Sequence, residues 1–127
     1  NIIDQRLNQS GWMHKLKDLN IEIHTRSTFL QGLLLMQRKL IPNKYKKWDV
    51  IWDRWHSWLD LHDQNNIETC LSFCLSYKEI DQVIIGVDSY SQWKQILTKK
   101  DCKSNHELPD INSKDEMLIN PSNWKKL

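Results

Sequence analysis

The chain has 127 residues, of which 27% are charged, with 18 lysines and arginines against 16 aspartates and glutamates for a formal net charge of +2. That length suits one modest domain, and so small a net charge leaves neither an acidic tail nor a basic face that would recruit nucleic acid. Apolar runs such as Phe29 to Met36 stop far short of the roughly 20 residues that span a bilayer, and no signal peptide opens the chain, so a cytoplasmic protein without a membrane partner is expected.

Asn1-Ile2-Ile3-Asp4 reads as the end of a strand that begins mid-element. A polar link and a short amphipathic helix follow, with Trp12, Leu16 and Leu19 on one face and Asn20 as its stop. Ile21 to Ser27 alternates and is β-branched, which favours a strand. A loop carrying Gln31-Gly32 then leads into Leu33 to Met36. Pro42 can open the next helical stretch, where Trp48, Ile51, Trp52, Trp55, Trp58 and Leu59 recur at three- and four-residue intervals as one broad apolar stripe.

Asn65 or Asn66 can cap a second helix over Ile67 to Tyr77, with Leu71, Cys74 and Leu75 inward. Val83-Ile84-Ile85-Gly86-Val87 is a continuous apolar run of the kind found in parallel strands buried on both faces. Ser89 can cap a last helix over Ser91 to Leu97. From Thr98 the chain is polar, carries Pro109 and Pro121, and predicts an extended tail with one helical turn near Asp115. This order of elements points to parallel βα units. Cys70, Cys74 and Cys102 are too few and scattered for a disulfide framework, so a reducing compartment suits them.

Two segments carry a resemblance. Ile23-His24-Thr25-Arg26-Ser27-Thr28-Phe29-Leu30-Gln31-Gly32-Leu33-Leu34 is similar to the seventh strand of the aldo/keto reductases and its following loop. Ile85-Gly86-Val87-Asp88-Ser89-Tyr90-Ser91-Gln92-Trp93 resembles the eighth strand as it turns into the last barrel helix. Asn1 to Arg6 is similar to the end of the sixth strand, and Ile119 to Trp124 resembles the tail of a bacterial subgroup associated with surface-sugar biosynthesis. The resemblance implies an α/β fold: the C-terminal part of a (β/α)8 barrel with an inserted Trp-rich helix, incomplete in this chain, over residues 1–97, with a C-terminal tail over 98–127. Sites in such barrels lie at the C-terminal ends of the strands.

The family reduces carbonyls with hydride from NADPH or NADH, using a Tyr, Lys, His and Asp set on earlier strands. The resemblance therefore assigns no catalytic residue here. It implies a chain inactive alone, whose cofactor binding is weak or absent in isolation, and whose parent acts on a small carbonyl substrate. For the cofactor it implies Arg26 against the nicotinamide ring. Ser27, Thr28, Phe29 and Gln31 would meet the pyrophosphate through backbone groups. Gly86, Asp88 and Ser89 would sit where a helix N-terminus favours phosphate, and Gln92 would reach the adenosine end. Gln95-Ile96 departs from the Glu-Asn pair that often holds the adenine. Asp88, with Lys94 the nearest cation in sequence, favours NADH over the family's usual NADPH.

Each residue also has a plainer reading. Arg26 can be a surface salt-bridge residue, Ser89 a plain N-cap, and Gly86 a glycine that lets a strand turn into a helix. Cys70 and Cys74 lie four apart on one helical face but lack the further ligands of a tetrahedral site, so packing is expected, and the histidines show no metal-ligand spacing. The Trp stripe reads as a core face. Left uncovered it would instead serve a non-catalytic interaction module, the alternative from another class. A fragment with open strand edges is also expected to self-associate.

Overall fold

The computed structural model describes residues 1–99 and 106–127, so Cys102 lies outside the described residues. Asn1 to Asp4 forms no strand. The Asn1 side-chain oxygen accepts from the N–H groups of Ile3 at 3.0 Å and Asp4 at 2.9 Å, closing a turn, while Ile2 and Ile3 are fully buried. Helices α1 (Arg6–Gln9) and α2 (Trp12–Asp18) follow. Asn20 ends α2 in a left-handed conformation with φ 55°. The N–H of Ile21 bonds Leu16 O and that of Asn20 bonds Lys17 O, which is a Schellman closure. The expected face is displaced, because α2 buries Met13, whereas Trp12 and Leu19 are exposed.

The predicted strands pair in parallel, but briefly. Strand β1 is His24–Thr25 and β2 is Gln82–Val83, with His24 opposite Gln82 and Thr25 opposite Val83. Pairing ends soon after the Ile84 N–H to Thr25 O bond of 2.8 Å, since Ser27 turns left-handed at φ 62° and carries its backbone away. Asp81 fixes the start of the pair. Its carboxylate accepts the Ile23 N–H at 2.7 Å and an N–H of Lys17 from α2 at 2.6 Å. The Val83 to Val87 run is not covered on both faces among the described residues: Ile84 and Val87 are exposed.

The Trp-rich segment begins as a 3₁₀ turn over Asn43–Trp48 and continues as α3 (Asp49–Leu61). Trp52 and Trp55 are completely buried and Trp48 and Trp58 nearly so. Burying an indole requires a partner for its N–H, and all four have one. Trp52 donates to Tyr45 O at 3.0 Å, Trp55 to Leu34 O at 3.1 Å, Trp58 to Glu107 O at 2.9 Å and Trp48 to an Asp115 carboxylate oxygen at 3.1 Å. The tail thus covers this helix.

Asn65 caps α4 (Asn66–Leu75), accepting from the N–H groups of Ile67 and Glu68. Leu71 and Cys74 face inward as expected, but Leu75 is exposed. Helix α5 (Tyr90–Lys99) packs against α4 through Ile96. Asp115 caps the expected turn, α6 (Glu116–Ile119), and a 3₁₀ segment follows over Pro121–Lys126. One apolar cluster joins Ile2 and Ile3, the Trp face, Cys70 and Cys74, and the tail residues Ile111, Leu118 and Ile119. The coarse architecture is helix-rich α/β about a two-stranded parallel sheet.

Candidate cofactor cleft

Two loops leave the C-terminal ends of β1 and β2, and between them opens a cleft of about 700 Å³. Arg26, Ser27, Thr28, Phe29 and Gln31 line one side, and Gly86, Asp88 and Gln92 the other. Ile96 from α5, read from the sequence only as part of the Gln95-Ile96 departure, and Ile67 from α4, which the sequence had not marked for a site, add apolar lining. Of the residues expected to form a site, Ser89 alone is not part of the lining.

The β1 loop is conformationally unusual. Ser27, Leu30, Gln31 and Gly32 all have positive φ, at 62°, 47°, 54° and 81°. Left-handed backbone is uncommon for non-glycine residues and is tolerated only where the surroundings enforce it. The N–H groups of Leu30 and Leu33 close short turns onto Ser27 O at 2.9 Å and Leu30 O at 3.0 Å. Those of Ser27, Thr28, Phe29, Gln31 and Gly32 donate to no acceptor among the described residues, and all five residues line the cleft. Left-handed residues thus occur singly at Ser27 and as a run from Leu30 to Gly32, and backbone N–H groups left unpaired in such a turn are available to an anion.

Arg26 is exposed and its guanidinium makes no ion pair or hydrogen bond among the described residues, so the plain salt-bridge reading does not hold there. Among the described residues it supplies the only formal positive charge in the cleft lining, and Asp88, across the cleft, the only negative one. The Asp88 carboxylate is likewise without a partner among the described residues. Gly86 does not have a left-handed φ, and a Cβ added there would meet nothing within 4 Å. Among the described residues neither the turn nor packing therefore explains that glycine.

Ser89 and Gln92 are committed locally. The Ser89 hydroxyl accepts the Gln92 N–H at 3.2 Å, and the Gln92 side-chain oxygen accepts the Asp88 N–H at 2.8 Å. This is a variant of the capping box at the start of α5. The plain N-cap reading accounts for Ser89, and only the amide –NH₂ of Gln92 remains for a ligand.

Thr28 is buried, with the Cys74 thiol 3.9 Å from its hydroxyl. Burial pushes the Cys70 and Cys74 thiols up, so both stay protonated packing groups at neutral pH. Among the described residues no cluster of three or more His, Cys, Asp or Glu side chains is placed to hold a metal ion. No helix among them is long and apolar enough to cross a membrane.

Comparison with protein-family models, with curated proteins and with solved structures finds no match to this chain. The resemblance to the aldo/keto reductases thus rests on the quoted sequence segments alone.

Proposed function

We propose that this chain is the cofactor-binding C-terminal part of an aldo/keto-reductase-like barrel, and that the cleft between the β1 and β2 loops takes NADH or NADPH. The observation that carries the reading is the set of backbone N–H groups in the Ser27 to Gly32 loop that are unspent among the described residues, beside the one cation that those residues bring to the cleft. A pyrophosphate is an acceptor-only dianion. Oriented amides bind such a group without the desolvation cost of several buried cations.

Residue roles follow from position. The amides of Ser27, Thr28, Phe29, Gln31 and Gly32 hold the pyrophosphate, and Arg26 stacks its guanidinium plane on the nicotinamide. Gly86 leaves room for the backbone to approach the ligand. Asp88 accepts hydrogen bonds from a ribose diol. When bound, the nicotinamide supplies hydride to a small carbonyl substrate. In the family the proton donor belongs to earlier strands, so these residues bind and orient, and the chain alone is inactive.

The reading in which the Trp-rich helix docks a partner lacks a surface, since that face is buried against the 33–45 segment and the tail. The test is the native reading frame with the intact mass of its product, titrated with NADH and NADPH. A longer product that binds either nucleotide, and loses it in Gly86→Val, is expected. A product that consists of this chain alone, or a longer one that binds neither nucleotide, overturns the reading.

A further inference from the structure

A second cleft, of about 660 Å³, lies on the other side of Arg26 and Ser27, and both residues line both clefts. Its charges are mostly matched within the chain. Asp4 pairs with Arg6 at 2.9 Å, Arg6 reaches Glu116 as well, and His24 faces Glu22 at 3.2 Å. Side-chain amides are also spent: Asn1 donates to Ser27 O at 3.2 Å, Gln5 to Ile2 O at 2.9 Å and Asn8 to the Tyr77 hydroxyl oxygen at 3.0 Å.

Among the lining groups that can still donate are Arg26, Tyr77 and Thr25. Arg26 has no partner among the described residues. Tyr77 accepts from Asn8, which leaves its own O–H free to donate. Burial raises its pKa, so it remains a phenol. The Thr25 hydroxyl is buried and has no partner among the described residues. An unsatisfied buried hydroxyl is costly enough to call for an occupant. Among the described residues the one carboxylate lining the cleft, Asp4, is paired with Arg6.

We propose that this second cleft binds the carboxylate of a small oxo acid, with Arg26 as its anchor and Tyr77 and Thr25 as further donors. One guanidinium and two hydroxyls balance a single negative charge, which fits a carboxylate better than a phosphate dianion. A guanidinium can present its flat face to a ring while its in-plane N–H groups engage a carboxylate side-on. Arg26 would thereby serve both clefts at once. That the anion belongs to a carbonyl compound rests on the reading that the neighbouring cleft takes a hydride carrier; the anion site itself does not.

Ligand-observed saturation-transfer NMR on the full-length protein tests this, because weak binding is readable. The probes are 2-oxobutyrate, its uncharged counterpart 2-butanone, inorganic phosphate and NADH. We expect 2-oxobutyrate to bind and 2-butanone not to. Arg26→Ala should weaken 2-oxobutyrate by about tenfold or more, the size expected for one charge-assisted pair. Arg26→Lys should recover part of the loss, and Tyr77→Phe, which removes a single hydroxyl, should weaken binding several-fold. Equal binding of 2-butanone, indifference to both Arg26 variants, or displacement by equimolar phosphate overturns the proposal. NADH binding without 2-oxobutyrate binding also overturns it and leaves the cofactor reading standing. Arg26-dependent 2-oxobutyrate binding without any NADH binding supports the anion site and counts against the cofactor reading.

Discussion

Asp88 is the residue on which cofactor choice turns. Its carboxylate lies in the cleft without a partner among the described residues, and Lys94 is not part of the lining. A 2′-phosphate placed there would meet a like charge, whereas a ribose diol would find an acceptor. In the full-length protein Asp88→Ala should shift relative affinity toward NADPH by about fivefold, the factor for removing one charge repulsion of about 1 kcal/mol at the cleft edge. Titrating both nucleotides checks it, and an unchanged ratio removes Asp88 from the argument. Trp52 tests packing in the same way. It is completely buried and its N–H is bonded to Tyr45 O at 3.0 Å, so Trp52→Ala leaves a large cavity and an unsatisfied carbonyl. We expect about 3 to 5 kcal/mol lost in denaturant unfolding. A loss under about 1 kcal/mol would show that the helix face is not core. Cys70, buried with its thiol held protonated, should resist alkylation in the native state and react on unfolding, which peptide mass mapping can follow.

Among the elements, the joint between α2, β1 and β2 depends on one carboxylate. The Ile23 N–H and then Lys17 hold Asp81 below its ordinary value of 3.8. A depressed folded pKa stabilises fully above the unfolded value and loses that contribution as pH falls through the folded one. Asp81→Asn should therefore lower the urea midpoint of the full-length protein at pH 5. The gap from wild type should close as pH falls below about 3.8. A gap constant across that range would show that titration of Asp81 does not matter. The tail behaves as an element of the core rather than an appendage. Trp58 and Arg54 bond its backbone at Glu107 and Asp110, Trp48 and Lys47 hold Asp115, and Ile111 and Leu118 are buried.

For the molecule as a whole, the described sheet has two strands and two outer edges, and Ile84, Val87, Trp12 and Leu19 are exposed. Unpaired N–H and C=O groups beside apolar surface favour association with other chains. The 127-residue chain alone should therefore sediment as oligomer or aggregate at tens of micromolar, and should reduce no carbonyl above the uncatalysed rate. A stable monomer would contradict the open-edge argument, and turnover would contradict the placing of the proton donor outside this chain.

Local patterns determined much of this protein. The three- and four-residue spacing of Trp48 to Trp58 defined a buried helix face, Asn65 and Asp115 marked helix starts, and the segments around Ser27 and Gly86 each suggested a loop after a strand. These are near-neighbour effects, set by helical periodicity and by side chains that bond their own backbone. Residues far apart in sequence were decided only by the tertiary structure. Which face of α2 is buried could not be read from its stripe, because Trp12 and Leu19 satisfy the same spacing as the buried Met13 and only the position of the core chooses between them. The strand lengths were overestimated, since β propensity does not report how many neighbours a strand finds or that Ser27 turns left-handed. The meeting of Arg26 with Asp88 across one cleft, and with Tyr77 beside another, has no signature along the chain. It arises because a parallel pair places the ends of β1 and β2 side by side, and that juxtaposition exists only once the intervening helices have packed.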